Sequence, residues 1–287
     1  MSVIALPRPG AARARVGPRW LVALVRRKTT LAGALVMLVI AAVGALAPLL
    51  AGDPAHMDVA GRLAAPGRAH WFGTDDVGRD VWSRVVYGAR LSSLVGLAVV
   101  ALSFVVGVAC GLVAGYYRRL DNLVMRVMDG LMAFPAIVLA IALMAALGPS
   151  VVNVIVAIAV VYSPRVARVV RGSVLVIRET SYVEAARALG ASDLTLIGRH
   201  VLPNCLSPII VTGSLTVATA ILIESALSFL GLGDPNVMSW GFMIGAGRTF
   251  LRTAWWLCTI PGMAILLTVL AINLVGDGLR DLLNVRG

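Results

Sequence analysis

The side chains best suited to chemistry lie in one polar stretch, residues 181–204, which stands between two long apolar runs and is called the elbow below. Its acidic and basic side chains are Glu184, Arg187, Asp193, Arg199 and His200. The stretch contains no nucleophile and base at a spacing typical of a catalytic pair, and it contains no cluster of metal ligands. The elbow therefore favours binding over catalysis.

The elbow also has the composition of a docking surface. Small residues would let another surface approach its backbone closely, and these are Ala185, Ala186, Ala188 and Gly190. Apolar anchors recur among them at roughly helical spacing, namely Val183, Leu189, Leu194 and Ile197. We predict an element that docks on a partner. The alternative is a loop helix that lies on its own bundle.

Local signals divide the elbow into two short helices. Ser181 and Glu184 stand at capping-box spacing, and Gly190 can end the helix that they begin. Ser192 can cap a second helix. This second helix is predicted to stop near Leu202, because the proline that follows cannot donate a backbone N–H.

Two acidic residues lie within apolar runs and need compensation. An ionised Glu224 inside a span would cost about 2.5 kcal/mol or more unless it is paired. The amino group or cation of a passing substrate could compensate it, but we favour a structural partner, either Arg248, Arg252 or the hydroxyl and N–H groups of a neighbouring helix. Asp129, one turn from Arg126, predicts a local ion pair.

Composition places the chain in a lipid bilayer. Of its 287 residues 59% are hydrophobic, and the mean hydropathy is +0.92, which is far too apolar for an ordinary soluble domain. The formal net charge is +11, yet the arginines lie mainly between apolar segments and form no basic helix face. This pattern indicates membrane topology and argues against nucleic-acid binding.

The apolar runs predict an all-α, polytopic membrane protein with six transmembrane helices. The first run, 29–51, is long enough to be an uncleaved span and too long for a signal peptide. The remaining five belong to a core of residues 91–287 that also contains the elbow, and they fall at approximately 91–116, 123–147, 150–170, 205–230 and 256–276.

The segments outside the spans predict the orientation. Residues 1–28 form a basic tail without acids, and 52–90 form a charge-balanced loop in which 81–89 reads as an amphipathic helix at the membrane interface. Most of the 25 basic residues fall on the side of the tail and elbow. We therefore expect the tail, the elbow and both termini in the cytoplasm, and the loop outside the cell.

Three further local features carry structural predictions. Pro135 lies in the middle of the third span and should kink it. Gly107 and Gly111 form a small-xxx-small pair that allows close contact between helices. Asp80 and Arg84 stand four residues apart and predict an ion pair on the polar face of the loop helix.

Several motifs, in order, resemble one known family. Glu184-Ala185-Ala186, then Gly190, then His200-Val201-Leu202-Pro203 resembles the EAA loop of permease subunits in binding-protein-dependent ABC importers. The strings FGTDDVGRDVWSRVVYGARLS at 72–92, ESALSFLGLG at 224–233 and NLVGDGLRDLLN at 273–284 resemble the C-type permeases of dipeptide and oligopeptide importers. The family usually has Ile in place of His200 and Pro in place of Met238.

The resemblance implies a fold, a function and a set of partners. The fold would be that of a type I ABC importer permease, and the elbow would be the coupling helix that enters a cleft of an ATPase subunit, through Glu184, Ala185, Ala186, Gly190, Leu194 and Ile197. The partners would be a second, similar permease, two ATPase subunits or one fused ATPase, an extracytoplasmic binding protein, the peptide cargo and the surrounding lipid. This chain would hold no cofactor, and ATP would bind to the partners.

The residues also bear on the alternatives. No G-x-x-x-x-G-K-[ST] phosphate loop is present, so the energy for transport would come from another chain. Related permeases carry nickel or glutathione, but only His56, His70 and His200 could bind a metal, and a nickel site is poorly supported. A secondary transporter would need repeated halves or intramembrane ionisable relays, which the sequence does not display.

Overall fold

The computed structural model describes residues 27–284, so the predicted basic tail falls outside the description apart from its last two residues. Within this range the only β pairing is an isolated bridge between Thr74 and Asp80. The α-helices, in chain order, are α1 Lys28–Ala45, α2 Ala47–Leu50, α3 Val81–Tyr116, α4 Arg118–Met132, α5 Ala136–Leu147, α6 Val151–Ile177, α7 Ser181–Ala188, α8 Asp193–Thr195, α9 Leu202–Phe229, α10 Trp240–Gly247 and α11 Trp256–Asn284.

Five helical segments are long and apolar enough to cross a membrane: α1, α3, α6, the run from α8 through α9, and α11. The third predicted span, 123–147, is not one kinked helix. It is broken into α4 and α5, which meet at 91°. Pro135 lies at this break with an extended backbone (ψ 132°), and its ring prevents the α4 helix from continuing. The bundle has six spans if this bent pair counts as one.

The predicted helix at 81–89 forms, but it is not a separate element, because these residues are the first turns of α3. This helix runs for 36 residues, which corresponds to about 54 Å. Val81 and Val86 on its first turns are fully buried within the protein. Asp80 caps the helix by accepting a hydrogen bond from Ser83 N at 2.8 Å. The helix thus joins the two ends of the bundle, the loop end at Val81 and the elbow end at Tyr116.

Glycines bring α3 and α6 into backbone contact. A Cβ atom at Gly107 would lie 2.6 Å from Val166 Cβ, and one at Gly111 would lie 2.6 Å from the Ala167 carbonyl oxygen. Gly115 continues the pattern one turn further on. The predicted role of Gly107 and Gly111 in close packing is confirmed.

Ion pairs fasten α4 to α6. Arg171 donates two hydrogen bonds to Asp121, at 2.6 and 2.7 Å, which is the bidentate geometry that favours Arg over Lys. Asp129 accepts from Arg168 at 2.7 Å, so the predicted pair with Arg126 is wrong. The α6 helix lies alongside α4, and its arginine reaches Asp129 from across the helix contact.

Candidate functional site

The elbow begins one residue earlier than the capping box predicts. Thr180 is the N-cap, with an extended backbone (φ −81°, ψ 144°), and its side chain makes no capping bond. Its Oγ1 instead donates to the Ile177 carbonyl at 2.6 Å. The predicted Ser181–Glu184 capping box is therefore wrong, because Ser181 already lies within the first turn of α7.

Gly190 ends α7, as predicted. Its φ of +85° lies in the left-handed region, where a side chain would be strained. Gly190 N donates to the Arg187 carbonyl at 3.0 Å, and Ala191 N donates to the Ala186 carbonyl at 3.1 Å. These two bonds form a Schellman motif. The predicted cap of the second helix is also confirmed, since Ser192 accepts from Thr195 N at 3.4 Å.

The second helix of the elbow does not stop near Leu202. The chain continues from α8 through a six-residue π-helical segment, Leu196–Val201, directly into α9. Pro203 falls in the first turn of α9. A proline is tolerated in the first turn of a helix, because a backbone N–H at that position would have no acceptor within the helix. The wider π turn just before it also changes the hydrogen-bond register.

One face of the elbow is fixed to the bundle. Val183, Leu196 and Val201 are fully buried. The Tyr116 hydroxyl, at the end of α3, donates to Asp193 Oδ1 at 2.7 Å. The Arg187 guanidinium lies over the Tyr116 ring, 6.0 Å from its centroid. Val183 therefore packs inward and does not serve as the outward anchor that the sequence predicts.

The opposite face of the elbow is open. Leu189 is 89% exposed and Leu194 is 82% exposed. Large apolar side chains that are exposed close together mark a surface that can bind a partner. Gly190, between them in sequence, has no atom of the described chain within 4 Å of the position that a Cβ would occupy. Of the other residues predicted for this surface, Glu184 and Ala185 are exposed, while Ala186 and Ile197 are partly buried.

Glu224 is compensated by serine hydroxyls of its own helix. The residue is 3% exposed. Ser228 Oγ donates to Glu224 Oε1 at 2.8 Å, and Ser225 Oγ lies 3.4 Å from Oε2. Of the two arginines considered from the sequence, Arg248 lies over the Phe229 ring at 5.5 Å, and neither has a hydrogen bond to Glu224.

At the loop end, Asp75 organises a network that the sequence did not predict. Its carboxylate accepts from Val77 N at 3.0 Å, from Arg79 N at 2.8 Å, from Arg79 Nε at 2.7 Å, and from Arg84 Nη1. Burial raises the pKa of Asp75, but the hydrogen bonds from Arg79 and the Arg84 charge outweigh it, and the pKa lies below its usual value. Asp80 contacts His70 at 3.1 Å, so the predicted Asp80–Arg84 pair is wrong.

A local signal for this network exists in the sequence. Asp75 precedes Arg79 by four residues, with Gly78 between them, and Gly78 has a φ of +83°. A carboxylate that accepts from N–H groups two and four residues ahead is typical of a tight Asx turn. Among residues 27–284, no three His, Cys, Asp or Glu side chains converge as a metal site.

Comparison with known proteins agrees with this architecture. Residues 91–286 match the family model described as binding-protein-dependent transport system inner membrane component. The chain is 51% identical, over 92% of its length and 90% of the relative's, to a putative peptide transport system permease protein of Brucella suis. It is 44% identical, over 91% and 87% of the two chains, to the dipeptide transport system permease protein DppC of Alkalihalophilus pseudofirmus.

The fold is also found in a solved transporter. The chain is similar to a chain of the inward-facing MetNI methionine ABC transporter, with a TM-score of 0.59 and 20% identity, over 70% of this chain and 97% of that one. The predicted all-α permease fold and the resemblance stated from the motifs are both confirmed. The chain is a multi-pass membrane protein, and it belongs to the family of inner membrane components of binding-protein-dependent transport systems.

Proposed function

We propose that this chain is a permease subunit of an ABC importer that carries peptides into the cell. The observation that carries the proposal is the match to relatives named for peptide transport, at 51% identity over nearly the whole chain. The open face of the elbow supports it, because a transport subunit without a phosphate loop needs a surface through which an ATPase partner can act.

In this proposal Leu189 and Leu194 enter a cleft of a cytoplasmic ATPase subunit, with the exposed Glu184 and Ala185 nearby. Two exposed apolar side chains beside a glycine without neighbours are typical of helix-in-groove recognition. The buried Val183 and the Tyr116–Asp193 hydrogen bond would hold the elbow rigid while the partner moves. Two ATPase subunits, or one fused ATPase, would bind ATP, and this chain would hold no cofactor.

The same proposal places the loop end outside the cell and the elbow end in the cytoplasm, with both termini inside. The basic residues support this orientation, because they are concentrated in the tail, at the start of α4, and from the second half of α6 to the end of the elbow. A second, similar permease would complete the translocation pathway as a heterodimer. An extracytoplasmic binding protein would deliver the peptide at the loop end.

Growth of a deletion strain tests the proposed cargo directly. The strain lacks the gene for this chain and receives either the wild-type gene or an empty vector, with defined dipeptides, longer peptides or glutathione as the sole source of a required amino acid. Uptake of nickel is measured in parallel. Restoration of growth on peptides supports the proposal. Restoration of nickel uptake without growth on any peptide contradicts it.

A further inference from the structure

A cavity of about 400 Å³ opens at the loop end, between the loop before α3 and the connection from α9 to α10. Its walls are largely apolar, and they include Leu91, Val237 and Phe242. Among residues 27–284, the charged residues that line it are Arg79 and Arg84. The volume and the composition, an apolar pocket with a few polar groups, are those of a site for a small ligand.

The two guanidinium groups are not fully used by the protein. Both bind the single carboxylate of Asp75, and among residues 27–284 neither forms an ion pair with another carboxylate. Arg84 is 3% exposed, and its buried Nε–H has no acceptor among residues 27–284. A buried donor without an acceptor is costly in a folded protein, and such groups are rare. Asp76, the second nearby carboxylate, lines a smaller neighbouring cavity together with Arg84 but forms no ion pair with it.

We infer that this cavity binds the C-terminal carboxylate of the peptide as it passes from the binding protein into the permease. The inference rests on the proposed function. A carboxylate is the group that the planar N–H fork of arginine recognises best, in a bidentate manner. The apolar walls would contact the peptide side chains next to the C-terminus without selecting for particular residues. Such low selectivity suits a transporter of varied peptides.

The chemistry also argues for a small ligand. Arg79 is the more accessible of the two arginines, with 22% of its side chain exposed, so a carboxylate on a mobile peptide can enter the cavity and reach it. Tyr87 lines the same wall, and its hydroxyl makes no hydrogen bond to a described residue, which leaves it as a further donor. An acidic side chain on the surface of the binding protein is the competing ligand, and the experiment below distinguishes it from the peptide.

The test compares a peptide that has a free C-terminus with the same peptide as its C-terminal amide. The complete transporter is reconstituted in vesicles, and isolated binding protein is first shown by calorimetry to be saturated with each peptide. Wild type should import the free acid about tenfold faster than the amide, the effect of one charge-assisted hydrogen-bond pair. In Arg79→Gln the ratio should fall to within about twofold of one. A general loosening of the loop would slow both peptides equally and leave the ratio unchanged.

Arg62→Gln is the matched control, because Arg62 lies in the same loop and donates to the Asp76 carbonyl but does not line the cavity. It should keep the wild-type ratio. An unchanged ratio in Arg79→Gln overturns the inference. So does a weaker affinity of Arg79→Gln for peptide-free binding protein, measured through stimulated ATP hydrolysis, since the arginines would then serve protein docking.

A second measurement separates this inference from the proposed function. The free acid and the amide, at millimolar concentration and without binding protein, are added to the complex in detergent, and its melting temperature is recorded. The free acid alone should raise the melting temperature of wild type, and it should fail to do so in Arg79→Gln. If wild-type vesicles import neither peptide, the peptide function fails; if they import both and neither peptide shifts the melting temperature, only the site fails.

Discussion

The hydroxyl of Tyr116, the last residue of α3, donates to the carboxylate of Asp193 at 2.7 Å and so joins the longest helix of the bundle to the elbow. The other end of the same helix is anchored in the loop by Asp80, which caps it. One continuous helix therefore connects the network around Asp75 with the proposed ATPase surface.

Tyr116→Phe removes only this hydroxyl and should reduce the coupling of ATP hydrolysis to transport. Losing a hydrogen bond of about 1 kcal/mol corresponds to roughly a fivefold change in an equilibrium, so we expect up to fivefold fewer peptides imported per ATP. Uptake and hydrolysis are measured in the same vesicles. Tyr117→Phe is the control, since its hydroxyl makes no hydrogen bond in the described structure. Equal effects of the two changes would contradict the prediction.

Gly190→Phe should leave membrane insertion intact and weaken association with the ATPase at least tenfold. A Cβ at this position has no atom of the described chain within 4 Å, so we expect the added ring to clash with the partner. Gly190→Ala is the matched control, because both variants carry the strain of a φ of +85°, which costs about 1–2 kcal/mol. Co-purification of the ATPase with each permease variant measures the effect. Equal losses in the two variants would point to the backbone alone.

Labelling with a membrane-impermeant maleimide tests the orientation. Leu189→Cys and Val59→Cys introduce thiols at exposed positions at opposite ends of the bundle. In intact cells Val59→Cys should react and Leu189→Cys should not, and permeabilisation should expose the second. Cys205 is buried, and Cys110 and Cys258 are replaced beforehand. The opposite labelling pattern would reverse the topology.

Glu224→Gln should lower the stability of the complex more than it lowers the transport of the protein that remains. The carboxylate is held by Ser228 and Ser225 inside α9, and hydrogen bonds between groups within membranes contribute about 0.6–2 kcal/mol. Ser228→Ala should have a similar effect, and the two changes together should cost less than their sum. Detergent melting and uptake are measured on the same preparation. A fully stable Glu224→Gln complex that fails to transport would assign Glu224 to the pathway.

The Asp75 network predicts a definite pH dependence for the loop. Because folding lowers the pKa of Asp75, the stability it provides is complete above the ordinary carboxyl pKa of about 3.9 and disappears as the pH falls through the lower, folded value. The amides of Val77 and Arg79 should therefore stay protected from hydrogen exchange at pH 5. Asp75→Asn should expose them at pH 7, because it leaves buried Arg84 without its counter-charge, a loss of about 3–5 kcal/mol. Protection that is retained in Asp75→Asn would contradict this assignment.

Local signals predicted the parts of the site whose partners lie nearby in sequence. Gly190 and Ser192 were identified because a left-handed glycine and a serine N-cap act within a few residues. The partner of Arg84 was missed, because Asp80 stands at helical spacing while the true acceptor lies nine residues away, in a turn outside the helix. The inward packing of Val183 was missed for a similar reason, since spacing along a helix does not say which face the bundle covers.

The broken third span shows the limit for longer elements. Pro135 gave the position of the break correctly, but a proline alone does not set the angle between two helices. The two acidic residues of α4 pair with arginines of α6, Asp121 with Arg171 and Asp129 with Arg168, and these contacts depend on how the helices pack. In the sequence, residues 123–147 form one apolar run, and nothing in that run indicates how α4 packs against α6.

The glycine contacts between α3 and α6 also have a mechanical consequence. At Gly107, Gly111 and Gly115 the two helices are in contact over three successive turns, with no room for a methyl group. If one helix slid along the other, the valines of α6 that face these glycines would clash with the backbone of α3. The two helices α3 and α6 are therefore expected to move together as one rigid unit. In the proposed transport cycle we expect the change of shape at the corner between α4 and α5, since no atom of the described chain lies within 4 Å of a Cβ placed at Gly130.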